Sequence, residues 1–306
     1  MKPNEPNGAG RVFAALGKSA CYVGLFLGMQ VLVQLPILCG AAIQAALTGG
    51  DEEAIYNAIQ DIDVMPLMLI SGLLTLVVVQ IFYLLRRKKL SEALWLRPVP
   101  APTLFAGASL APALYFAVII VLYMLPADWT QSYEEASSGI DTGTFTGVIV
   151  IAIVAPIVEE VIFRGLTMTR LSRVMSGWLA VLLSAAVFGL CHGELVWFCY
   201  AFVLGVFFGF IDLRAGSILP SILGHIMFNA IGQIMTLVPE TEEGTGAVIA
   251  LGVLFLAAIV LPILDRKGVA ALFHSRPAAA APMPGPPAER ELPGAPGTYE
   301  FDPWEE

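Results

Sequence analysis

The 306-residue sequence is 57% hydrophobic and only 13% charged, with a mean hydropathy of +0.78. Soluble domains carry about a quarter of their residues as charges, so an ordinary cytosolic enzyme and a disordered chain are both excluded. The formal net charge of −9 excludes a nucleic-acid partner. What remains is an all-α, polytopic integral membrane protein whose first partner is the lipid bilayer.

In chain order, about eight apolar segments are predicted to cross or nearly cross a membrane: 21–47, 64–85, 102–126, 143–163, 177–192, 195–213, 217–237 and 246–264. Residues 1–20 form an N-terminal lead, 21–267 the transmembrane domain with a polar-motif core over 143–237, and 268–306 a tail. The fifth and sixth segments are short and are separated only by the polar step at His192, Gly193 and Glu194, which predicts a tight helical pair. The Pro-, Ala- and Gly-rich tail cannot form a packed core and reads as a disordered cytoplasmic segment. Cys21, Cys39, Cys191 and Cys199 form no CxxC pair and read as small core residues.

Orientation follows from charge. All 16 Lys and Arg residues fall on one side of this eight-helix scheme, in the N-terminal lead, the 86–97 loop, the ends of segments four, six and eight, and the tail. The opposite loops at 48–63, 127–142 and 238–245 hold no Lys or Arg and many acids. Basic residues stay inside, so both termini are expected in the cytoplasm, with the chain in the plasma (inner) membrane. The N-terminus carries no small-residue cleavage site after a short apolar core and is not read as a cleaved signal peptide.

Ionisable side chains inside a membrane are costly and mark function by default. Segment four carries Glu159, Glu160 and Arg164, segment five Phe188 and His192, and segment seven His225 and Asn229. Glu160 with Arg164, and His225 with Asn229, are four apart and so share a helix face. Counted at 1.5 Å per residue from the inner-face anchors Arg173, Trp178 and Arg214, Glu159, His192 and His225 lie at similar depth, roughly 15–20 Å in. Pro156 and Pro220 are each expected to free a carbonyl, bend their helix and help open a wet cavity. A carboxylate and an imidazole can activate water, while a second imidazole and an amide can hold an oxyanion. That set suffices for peptide hydrolysis without a Ser or Cys nucleophile.

In order and spacing, Glu159-Glu160-x-x-x-Arg164, Phe188-x-x-x-His192 and His225-x-x-x-Asn229 resemble the three motifs of the CPBP family, the CAAX prenyl proteases and their bacterial relatives in bacteriocin processing and immunity. The resemblance covers about 150–235. It implies an intramembrane endopeptidase in which Glu159 and His192 activate water, His225 and Asn229 hold the oxyanion, and Glu160 with Arg164 form a supporting ion pair. The implied partner is a lipidated or membrane-embedded peptide or protein, prenylated CAAX substrates among them, cleaved near the cytoplasmic side.

Two other classes compete: a non-catalytic scaffold or immunity protein that keeps the motifs as structural pairs, and a proton-coupled transporter, against which the lack of internal repeats argues. No cofactor is expected. The alternative is a zinc site with Glu159, His192 and His225 as ligands and an open water position. His192-Gly193-Glu194 lacks the Pro-Cys-x-x-Cys of zinc deaminases, and no His-Glu-x-x-His is present. Glu194 reads as an interface residue, Asp212 as a local ion pair with Arg214, and the Phe198–Phe210 aromatics as packing or lipid-facing groups. Gly205 and Gly209 read as a close helix contact.

Overall fold

The computed structural model describes residues 8–138 and 143–236; the eighth predicted segment and the tail lie outside them. The described residues form helices without strands. They are α1 Gly8–Leu47, α2 Glu52–Gln60, α3 Met65–Leu85, α4 Leu90–Ala93, α5 Ala101–Met124 and α6 Ala127–Ser138, then the long α7 Phe145–Leu171, followed by α8 Gly177–Leu190, α9 Leu195–Ala215 and α10 Leu219–Thr236. Five of them, α1, α3, α5, α7 and α9, are long and apolar enough to cross a membrane; α8 and α10 are shorter apolar helices. The protein is thus an all-α polytopic membrane protein.

Among the described residues the first helix already runs from Gly8, well before the expected start at residue 21, and residues 8–20 hold no proline to stop it. Among the described residues, the 90–97 segment and the basic ends of α7 and α9 come together. Thr169 donates through Oγ1 to the Ala93 carbonyl at 3.1 Å, Ser217 to the Arg97 carbonyl at 2.8 Å, and the Ile218 N–H to the Trp95 carbonyl at 3.3 Å. These bonds tie the 90–97 segment beneath the ends of α7 and α9. Elsewhere α6 lies against the 191–194 turn, with Ser132 Oγ donating to Glu194 at 3.0 Å and the Tyr133 ring edge-on to Trp197 and Tyr200.

Small residues set the close helix contacts, as expected where lipid replaces water. A Cβ on Gly205 would lie 2.9 Å from the Ala185 Cβ, and one on Gly209 3.0 Å from Val181. Among the described glycines the closest approach joins α5 to α10: a Cβ on Gly107 would fall 2.2 Å from the Pro220 carbonyl oxygen. Three of the four cysteines, Cys21, Cys39 and Cys199, are exposed on helix surfaces and only Cys191 is half-buried. They are therefore not core residues, since an apolar surface facing lipid is as natural a place for a thiol as an interior.

Candidate active site

The site grows from α7. This helix is not a regular α-helix: Val150–Val154 and Glu160–Met168 are wound as π-helix, with Ala155 N–H reaching the Val150 carbonyl and Thr169 N–H reaching Arg164. Wider winding of this kind is frequent at functional sites. Around Pro156 the winding changes, and a carbonyl is left free there, as expected, for a local reason. After the 155-to-150 rung, the next would run from residue 156 to the Ile151 carbonyl, and Pro156 has no N–H to give. Asn229 supplies the missing donor, its Nδ2 lying 2.8 Å from the Ile151 oxygen. Pro220 behaves otherwise than expected. It occupies the first turn of α10, where proline is tolerated.

Residues 160–169 are buried throughout. Glu160 and Arg164 pair at 3.1 Å, both fully buried, as their spacing implies. Glu160 also accepts from His225: Nδ1 stands 2.8 Å from the same carboxylate oxygen, so the Nδ1 proton points at Glu160. The other ring nitrogen, Nε2, faces Glu159 at 3.7 Å. His225 therefore lies between the two glutamates.

Glu159 differs from its neighbour. Its side chain keeps 19% exposure and helps line a cleft with Phe26 and Gln30 of α1, Ser71 and Gly72 of α3, and Val158. One carboxylate is thus locked into a buried pair, while the one before it in sequence faces the cleft.

The structure brings together Glu159, Glu160, Arg164 and His225. Asn229 follows one turn along α10. His192 is set apart: its Nδ1 bonds to the Phe188 carbonyl at 2.9 Å, and its ring rests against Phe188 and Trp197 at 4.8 and 5.5 Å between centroids. Among the described residues no hydrogen bond or ion pair joins it to Glu159. The link between the two halves is Phe188, whose ring lies under the Arg164 guanidinium at 4.4 Å and edge-on to His225 at 6.0 Å. Sequence reasoning gave this phenylalanine no role. Its spacing of four from His192 was the available signal. Phe208 also belongs here, stacked on His225 at 5.4 Å.

Asp212 corrects a second expectation. It is fully buried, and among the described residues neither carboxylate oxygen closes a hydrogen bond. The Arg214 guanidinium instead lies over the Phe210 ring at 5.2 Å, since an arginine at a helix end reaches outward along apolar surface. Glu194 caps α9, accepting from the Trp197 N–H at 2.8 Å.

The zinc alternative meets a geometric obstacle. Among the described residues no three His, Cys, Asp or Glu side chains gather as a metal-holding group. Glu159 and His225 approach one another, whereas His192 faces Trp197. In this arrangement the three residues do not fit a His₂Glu site.

Residues 141–231 match a family model described as "Type II CAAX prenyl endopeptidase Rce1-like". The chain is also 33% identical over 113 residues to a Bacillus subtilis (strain 168) protein named "Putative membrane peptidase YdiL". That alignment covers 36% of this chain and 46% of the relative, so the chain spans about half the relative's length. No solved structure matches the chain.

Proposed function

We propose that the chain is an intramembrane endopeptidase of the CPBP family, a reading supported by the family model matched at residues 141–231 and by the similarity to a membrane peptidase. Its substrate is a membrane-embedded or lipidated peptide or protein, CAAX-type substrates included. The supporting observation is the difference between two adjacent glutamates: Glu160 is consumed by Arg164 and His225, while Glu159 faces a cleft with a histidine nitrogen 3.7 Å away.

In this reading Glu159 takes a proton from a water, and the oxygen attacks the scissile carbonyl carbon. The new C–O bond forms as the carbonyl becomes an oxyanion. His225 and Asn229 lie on the side of α10 that faces α7; Asn229 retains a second Nδ2 hydrogen beyond the one on Ile151. The C–N bond then breaks, and the proton held by Glu159 passes to the leaving amine, with His192 as the second proton carrier. Phe188, between the two histidines and Arg164, is the wall that sets their spacing.

In this reading the reaction uses no resident metal, and the chain lies in the plasma (inner) membrane with both termini cytoplasmic. Incubating the detergent-purified protein with a panel of lipidated and unlipidated peptides tests the activity, with cleavage read by mass spectrometry. Cleavage confined to lipidated or strongly apolar peptides is expected. A specific observation favours one rival: Glu160, Arg164, His225 and Asn229 all hold the fold together, as a non-catalytic scaffold or immunity protein would use them. No cleavage of any peptide by folded protein would select that rival.

A further inference from the structure

α9 and α10 form an antiparallel hairpin that turns at Gly216–Ile218, where Gly216 takes φ 65°. Its register is set one level up. Phe208 stacks on His225, and a Cβ on Gly224 would lie 3.0 Å from the Phe208 ring. Facing residues in a hairpin step in opposite directions, so one turn nearer the loop Asp212 comes opposite Ser221. Asp212 lies on the inner face of α9, which also carries Gly205 against Arg164 and Gly209 against Met168.

The first turn of a helix has N–H groups without helical partners, and in α10 they can be counted. Leu219 N–H reaches Ser217 Oγ at 3.3 Å. Pro220 has none, and Ile222 N–H reaches the Ile218 carbonyl at 3.0 Å. Among the described residues Ser221 N–H closes no backbone hydrogen bond. The Ser221 hydroxyl donates to the Ile218 carbonyl at 2.9 Å and does not serve its own backbone. Asp212 is a fully buried acceptor with no other bond, and the N–H and hydroxyl of Ser221 are among the groups acting on it. A lone buried donor and a lone buried acceptor thus share one place.

We propose that Asp212 caps α10 from the neighbouring helix: its carboxylate takes the Ser221 N–H, and so fixes the height of His225, one turn further on, between Glu159 and Glu160. Asp212 is a positioning residue and touches no reacting atom. Its effect on turnover rests on the peptidase reading above; its effect on His225 does not.

The test uses the full chain in detergent with labelled histidine and serine, comparing Asp212→Asn with Asp212→Leu. An amide oxygen still accepts an N–H, whereas leucine fills the space and accepts nothing. For Asn, the Ser221 amide and His225 ring resonances should stay at their wild-type positions, with kcat within about 3-fold. For Leu, both resonances should move and kcat should fall about 10-fold or more at unchanged KM, the mark of a misplaced group. If the Leu variant does not fold, Asp212→Ala reads the same loss without added bulk. Unmoved His225 and Ser221 resonances in Leu or Ala would overturn the proposal, and so would an Asn variant as impaired as Leu. If the wild type cleaves nothing, the peptidase reading fails and the resonances alone decide the cap.

Discussion

His225 stands with one ring nitrogen 2.8 Å from Glu160 and the other 3.7 Å from Glu159. Adjacent residues on a helix diverge by about 100°, so one histidine can separate them into two tasks. Glu160 goes inward to Arg164 and Glu159 outward to the cleft.

The inward pair carries a stability prediction. Removing one partner of a buried ion pair leaves the other charge without compensation, at about 3–5 kcal/mol. Glu160→Ala should therefore lower the unfolding temperature in detergent sharply, and Glu160→Ala with Arg164→Leu should recover part of the loss. A double variant worse than the sum of the two singles would refute the pairing.

A second prediction concerns the π-wound stretch. Asn229→Leu strips the Ile151 carbonyl of its donor, and a buried unpaired acceptor costs about 1–3 kcal/mol. The double variant Pro156→Ala with Asn229→Leu should recover stability, since alanine restores an N–H at 156. Equal stability of the Asn229→Leu single variant and the wild type would show that this bond carries nothing.

How much of this was legible beforehand differs by level. The spans were readable because lipid demands long apolar runs, and the Glu160–Arg164 pair because four residues make one turn. The amphipathic α2 and α6 were not, since short polar helices have no composition signal strong enough to separate them from loops. That His225 takes Glu160 by its Nδ1, and that Asn229 serves a carbonyl, depends on how α10 lies across α7. Asp212 was misread because Arg214 is its neighbour in sequence, while the α9–α10 hairpin turns it inward to Ser221.

Acidification should loosen α6. Slight burial pushes the Glu194 carboxyl up, but the N–H groups of Trp197, Val196 and Leu195 and the Ser132 hydroxyl outweigh it, so the net displacement is downward. A lowered carboxyl contributes stability above the ordinary carboxylate range and loses it as pH falls through its folded value. Hydrogen exchange of α6, corrected for its intrinsic pH dependence, should therefore accelerate below about pH 4. In Glu194→Gln that acceleration should vanish. An unchanged profile in the variant would break the link between Glu194 and α6.

The metal-free reading predicts no stoichiometric zinc in purified protein and full activity in a strong chelator. Its ground is the donor set, in which Glu159, His192 and His225 do not gather. Elemental analysis near one zinc per chain, with activity lost on stripping and restored by zinc, would make those three residues ligands.

The most direct measurement is the turnover of Glu159→Gln beside Glu160→Gln and wild type, all shown to be folded, on one cleavable lipidated peptide. The amide at 159 keeps the shape of the side chain but cannot hold the proton taken from water. Activity should fall by at least ~10²-fold, the scale of a lost general base, with the unfolding temperature unchanged. The Glu160 variant should lose stability as well as activity. Wild-type turnover by a folded Glu159→Gln protein would contradict the account.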